Sequence, residues 1–197
     1  MKKTLYLMRH GQTLFNERKK IQGSCDSPLT ELGKKQARIA GLYFKENNIT
    51  FDHAYSSTQE RASDTLEIVT DNMPYTRLKG LKEWNFGIFE GEPEYLNPKA
   101  APGKKTYGDF FTAYGGENDT EVQKRINSTL TEIMEKDDHK NILAVSHGGA
   151  CYMFFLQWAE DFPHNGHSKN CTIFKYEFEN GKFTLKELIE HDFNKEI

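Results

Sequence analysis

Thr4-Leu5-Tyr6-Leu7-Met8-Arg9-His10-Gly11 sets the reading of the whole chain. Five strand-forming, mostly apolar residues give way at once to two basic side chains and a glycine, the pattern of a buried strand ending in a tight loop. The same grammar returns at Asn141-Ile142-Leu143-Ala144-Val145-Ser146, which runs into His147-Gly148-Gly149 and an apolar helix through Met153, Phe154 and Trp158. Each strand then carries a histidine and a glycine turn at its carboxyl end.

Working outward, Asp26-Ser27-Pro28 turns the chain into a helix, with Leu32, Gln36, Ile39, Ala40 and Tyr43 at helical spacing as far as Asn47. Residues 51–56 read as a second strand, 59–70 as a helix with Ala62, Leu66 and Val69 on one face, and 75–78 as a third strand. Asn118 and Glu121 form the two ends of a reciprocal helix cap before a stripe of Val122, Ile126, Leu130 and Ile133. Segments 172–178 and 182–188 flank Asn180-Gly181, a pair that favours a tight antiparallel hairpin. Strand and helix alternate, which predicts an α/β fold: a three-layer α/β/α sandwich on a mainly parallel sheet with an antiparallel edge strand. The 197 residues suit one domain. Residues 84–117 interrupt the alternation with prolines, glycines and aromatics, and read as a lid-like insertion.

Composition narrows the function. With 37% apolar and 28% charged residues the chain is an ordinary globular protein. Lys and Arg number 26 against 29 Asp and Glu, with no basic block, so no nucleic-acid partner is expected. No apolar run approaches a membrane span, and Arg9 and His10 cut the first apolar stretch too early for a secretory signal. Cys25, Cys151 and Cys171 lack the paired spacing of a zinc site or a disulfide framework, which points to a reducing, cytoplasmic setting.

In open α/β sheets ligands bind beyond the carboxyl ends of the strands, where this chain puts Arg9-His10, Ser56-Ser57 with Arg61, and Ser146-His147. Two guanidiniums and two imidazoles make a compact donor set for a tetrahedral oxyanion, with phosphate its natural occupant. Gly11, Gly23, Gly148 and Gly149 stand where backbone amides can approach such a ligand. A lone histidine after a strand is usually structural; here the weight lies in the convergence.

Taken in order, Leu7-Met8-Arg9-His10-Gly11-Gln12-Thr13 with Asn16, Gln22-Gly23, Asp26-Ser27-Pro28-Leu29-Thr30, Ser56-Ser57, Arg61-Ala62, Glu83, Glu90-Gly91, Gly115-Gly116-Glu117 and Val145-Ser146-His147-Gly148-Gly149 resemble the histidine phosphatase superfamily, the phosphoglycerate mutase-like enzymes. Asn118 departs from the serine often found after Gly-Gly-Glu, but asparagine also caps helices. The resemblance implies a metal-independent, cofactor-free phosphatase of the histidine acid type acting on a small phosphorylated substrate as a monomer or homodimer. It implies His10 as nucleophile, Arg9, Arg61 and His147 as the phosphoryl cage, and Glu83 as general acid. Asn16, Gln22, the Gly23 amide, Ser57 and Gly148 are the further substrate-binding candidates, and Glu90 is the rival to Glu83. Trp84 and Phe86 would desolvate the acid.

Three rivals follow. A phosphoglycerate or other sugar-phosphate mutase shares the phosphohistidine but needs cations for a second acidic group; no arginine stands between Arg77 and Arg125, although Lys99, Lys104 and Lys105 do. A catalytically idle binder of phosphorylated ligands would be expected to have lost the nucleophile or an arginine. Cysteine-based, Asp-x-Asp-based and P-loop chemistries lack their motifs, and His164-x-x-His167 reads as structural or solvated rather than metal-binding.

Overall fold

Alternate residues of β1 (Lys3–Arg9) serve opposite faces of the sheet: Leu5 and Leu7 join one apolar cluster, Tyr6 and Met8 the other. That double burial is why the strand reads as a continuous apolar run and not as an alternation. The computed structural model describes residues 2–194 apart from 101, 160 and 165.

β1 is followed by α1 (Leu14–Glu17), α2 (Glu31–Glu46), β2 (His53–Ser57), α3 (Glu60–Thr70) and β3 (Thr76–Leu78). After the 84–116 segment come α4 (Asp119–Glu135), β4 (Asn141–Ser146), α5 (Gly148–Trp158), β5 (Ile173–Glu179) and β6 (Lys182–Ile189). Among the described residues these form a six-stranded sheet of order β3-β2-β4-β1-β5-β6. Pairings from β3 to β1 are parallel; β5 runs against both β1 and β6. The reversed strand therefore lies one place in from the edge, because the hairpin turn sends β6 back parallel to β1. That turn uses Asn180 at φ 53° and Gly181 at φ 75°, the paired positive angles of a two-residue hairpin.

Ala37, Ala40, Phe44, Ala62 and Leu66 bring α2 and α3 onto one face. Ile126, Leu130, Ile133, Ala150, Phe154 and Phe155 bring α4 and α5 onto the other. Asn118 Oδ1 accepts the Glu121 amide at 2.8 Å and Glu121 Oε2 accepts the Asn118 amide at 2.9 Å, so the cap closes reciprocally.

Two details differ from the sequence reading. Leu32 is 43% exposed, because α2 centres its buried stripe on Gly33, Gln36, Ala37, Ala40 and Phe44. Helix α1 is too short to show a period; it exists through a cap in which Thr13 and Asn16 exchange hydrogen bonds. Among its described residues the 84–116 segment carries short 3₁₀ turns and a single bridge from Pro93 to Lys20, and it packs around Trp84, Phe86, Phe89, Tyr107 and Phe111. Among the described residues no helix is long and apolar enough to cross a membrane.

Candidate active site

Parallel pairing of β4 with both β1 and β2 sets three strand ends side by side: Arg9 stands in register with Ser146, and Ser56 with Val145. The His10 amide donates to the Ser146 carbonyl at 3.0 Å, tying the residue after β1 to the end of β4. Arg61 rides the first turn of α3, and His147 is the residue from which α5 starts.

His10 is only 3% exposed. Its Nδ1 lies 2.7 Å from the Gly11 carbonyl, which makes that nitrogen the N–H and leaves the lone pair on Nε2. Buried Arg61 donates Nε–H to this Nε2 at 3.2 Å. Its other donors reach the Cys25 and Gly23 carbonyls, each at 2.9 Å, and the Asp26 carboxylate at 2.8 Å. Arg9 is anchored through Nη1 on the Ser168 carbonyl, and its Nε is buried with no hydrogen-bond partner among the described residues. The His147 ring centre lies 5.2 Å from that of His10, and both its nitrogens are buried and unpaired among the described residues. An unpaired buried polar atom costs about 1–3 kcal/mol, so the unpaired Arg9 Nε and the unpaired His147 ring beside His10 mark a place built for a polar guest.

Burial holds His10 well below the ordinary imidazole range, with Arg61 and then Arg9 adding to it and the Gly11 hydrogen bond opposing. His147 is also held well below that range, first by burial and then by Arg61 and His10. The Arg9 guanidinium is lowered by burial and supported by the charge of Glu83. His10 is therefore a neutral imidazole with its lone pair on Nε2, His147 is neutral as well, and the fixed positive charge comes from two arginines.

Glu83 is 7% exposed and sits at the amino end of α5. One carboxylate oxygen accepts the Trp84 and Ala150 amides at 2.8 and 2.9 Å, and the other accepts the Gly149 amide at 2.9 Å. Glu90 is committed elsewhere: its oxygens accept the amides of Ser24, Phe86 and Cys25 at 2.7, 3.1 and 2.6 Å, clamping the loop after Gly23. A side chain at position 23 would collide with the Glu90 carboxylate and the Trp84 carbonyl, so only glycine fits. The Gly23 carbonyl takes Arg61, which makes this loop a support for the guanidinium. Gly148 lies against the Arg9 guanidinium.

The remaining candidates hold the loops. Asn16 Oδ1 accepts the Thr13 amide and Asn170 Nδ2, both at 3.2 Å. Gln22 links the Thr13 and Ser27 hydroxyls at 2.6 and 2.9 Å. Ser57 exchanges hydrogen bonds with Gln59 at 3.2 and 3.3 Å and so turns the chain into α3.

Several supporting residues escaped the sequence reading. Gln59 spans the site, donating to the Gly23 carbonyl at 2.6 Å and accepting the Glu83 amide at 2.8 Å. Arg125 grips the Lys82 and Glu83 carbonyls at 2.6 and 2.9 Å and pairs with Glu117 at 2.8 Å, fixing the loop that carries Glu83. Asn170 donates to the His10 carbonyl at 3.1 Å. A signal existed for Glu117, which follows Gly115-Gly116; Gln59 and Asn170 carry none. A cavity of about 550 Å³ opens over Arg9, Gly148 and Gly149, walled by Trp84, Phe86, Tyr107, Tyr152, Lys104 and Lys105 among others.

The family model of the histidine phosphatase superfamily (branch 1) matches residues 5–191. The broad-specificity phosphatase YOR283W of Saccharomyces cerevisiae is 30% identical over 92% of this chain and 83% of its own. A phosphoglycerate mutase from Bacillus anthracis superposes with a TM-score of 0.83 at 26% identity, covering 94% of this chain and 92% of that one. A phosphoserine phosphatase from Entamoeba histolytica, solved with 3-phosphoglyceric acid, superposes with a TM-score of 0.79 at 28% identity, covering 97% and 98%.

Proposed function

Because the chain belongs to the histidine phosphatase superfamily, branch 1, we propose that it hydrolyses small phosphomonoesters through a phosphohistidine, without metal, as an acid-type phosphatase of the cytoplasm. The observation that carries this reading is the unpaired set around one neutral imidazole: Arg9 Nε and both His147 nitrogens. The unpaired cysteines Cys25, Cys151 and Cys171 suit a reducing compartment.

As the ester arrives, Arg61 exchanges the His10 lone pair for a phosphoryl oxygen, and the freed Nε2 attacks phosphorus in line. The N–P bond forms as the P–O bond to the alcohol breaks, with equatorial charge held by Arg9, Arg61 and His147. Glu83 passes a proton to the departing oxygen, then takes one from the water that attacks the phosphohistidine and releases phosphate. Position favours Glu83 over Glu90 for this role: Glu83 contacts the two residues that follow Gly148 and so lies beside His147, whereas Glu90 is tied to the loop at Ser24 and Cys25. The 84–117 segment acts as a lid whose Trp84, Phe86 and Tyr107 wall the cavity.

Rapid quenching during turnover of a ³²P-labelled ester tests the reading: the label should be acid-labile, alkali-stable and mapped to His10. No label, or label elsewhere, overturns it. For the acid, Glu83→Gln should slow poor leaving groups of a phenyl phosphate series by about 10²–10⁴-fold and good ones little. Unchanged rates with poor leaving groups exclude the role. A mutase reading draws on Lys104 and Lys105 in the cavity wall, which suit a second anionic group. With 3-phosphoglycerate, inorganic phosphate as product supports hydrolysis, and the 2-isomer supports the mutase.

A further inference from the structure

A second histidine pair lies at the opposite end of the sheet. His53 opens β2, while Asp138 and His139 lie in the turn that leads into β4. The parallel register that pairs His53 with Ile142 brings these residues together across 85 positions of sequence. The phosphoryl site is at the carboxyl ends of the same strands, so the two clusters occupy opposite rims.

We propose that His53, Asp138 and His139 form a binding site for a divalent transition-metal ion, with zinc as the best match to the donor set. The Asp138 carboxylate spans both rings: Oδ2 lies 2.9 Å from His53 Nε2 and Oδ1 lies 2.7 Å from His139 Nδ1. One ligand atom from each residue falls within a mutual distance of 4.8 Å. Two imidazoles and one carboxylate are a recognised zinc set, with a fourth position left for water.

The surroundings suit ligation. His139 is 3% exposed, so the core holds its ring in place. Its other nitrogen, Nε2, lies 2.6 Å from the Tyr55 hydroxyl, and that hydroxyl accepts Lys136 Nζ at 3.1 Å. With the Tyr55 oxygen turned toward Nε2–H, Nδ1 is left as the ligand nitrogen, the outer-shell arrangement that orients metal-bound histidines.

Geometry asks for one adjustment. Around a tetrahedral zinc with bonds of 2.0–2.2 Å, ligand atoms stand about 3.3 Å apart, wider than the present contacts. The His53 and His139 rings are stacked at 3.9 Å and 16°, so His53 must swing outward. Its side chain is 39% exposed and that of Asp138 70%, so both can move without disturbing the core, while buried His139 stays fixed. A cavity of about 210 Å³ beside His53 and Tyr55 gives room for this swing.

The test is zinc titration of the chelator-stripped full chain by calorimetry, beside His53→Gln/Asp138→Asn. The site predicts one zinc bound by the wild type, affinity at least tenfold weaker in the double variant, and unchanged phosphomonoester turnover by that variant. Cobalt should give the intense visible bands of a four-coordinate site in the wild type only. Tyr55→Phe should weaken zinc by about tenfold, as loss of an outer-shell partner does. No saturable zinc uptake, or uptake equal in the double variant, overturns the proposal. Because both substituted residues are surface-exposed, thermal unfolding of the metal-free variant should match the wild type. A variant that unfolds early hands the decision to the wild-type cobalt spectrum, where octahedral, weak bands also overturn it.

Discussion

Two histidine pairs stand at the two rims of one sheet, and their neighbours give them opposite chemistry. At the carboxyl rim, His10 and His147 are buried beside two arginines, and among the described residues no carboxylate is in hydrogen-bond contact with either ring. At the amino rim, His53 and His139 stack on each other and share Asp138. Guanidiniums and burial withhold a proton and so keep a ring nucleophilic. A carboxylate recruits a cation to the gap between two rings. The residue type is constant; the sign of the neighbouring charge selects the function.

The largest break in this contrast is His10→Ala, which should lower phosphomonoester turnover by at least about 10⁴-fold and abolish the phosphoryl label. His53→Ala should leave turnover within about twofold. If the first keeps its rate or the second loses it, the rims have been assigned the wrong way round.

Arg61→Ala should cost about 10²–10³-fold in turnover, the range for losing one preorganised donor to transition-state charge. The same change removes the second-largest cause of the depressed His10 proton affinity, so the His10 titration followed by NMR should move up toward the usual imidazole range. A slower enzyme with an unmoved titration would separate Arg61 as phosphate ligand from Arg61 as tuner of the nucleophile.

In the wild type, kcat/KM should stay flat as pH falls through 6.5, because the free enzyme needs His10 neutral and its folded value lies well below 6.5. An acid limb centred at 6.5 would mean that burial and the arginines do not reach the imidazole.

The carboxyl rim was legible because its residues follow apolar strands directly: Arg9 and His10 after β1, His147 after β4 and Arg61 on the first turn of α3. Strand period and turn residues fixed those places without tertiary knowledge. Leu32 shows where this fails, since a helix of mixed residues can satisfy two phases and only packing of Gly33 against the β1 loop selects one. Gln59, Arg125 and Asn170 act by binding backbone carbonyls of distant loops, a role that leaves no mark on local pattern. The amino rim was invisible for a related reason. His53 reaches Asp138 only through the register of β2 on β4, which no spacing rule encodes.

The smallest effect is on stability, and its sign follows from the same burial. His10 and His147 are held neutral in the folded chain well below 6.5, whereas in the unfolded chain they take protons near 6.5. Between those limits the unfolded state binds more protons, so stability is complete above about pH 6.5 and falls as pH drops below it. Each histidine contributes a slope of up to about 1.4 kcal/mol per pH unit in that window. Urea unfolding at pH 7.5, 6.5 and 5.5 should therefore show midpoints that hold over the first step and drop over the second. In His147→Asn the drop should lessen, because one proton-withholding ring is gone. The double variant His53→Gln/Asp138→Asn should keep it, because His10 and His147 are untouched. Equal midpoints at all three pH values would mean that the buried rings accept protons as readily folded as unfolded. The electrostatic contrast between the two rims would then have no basis.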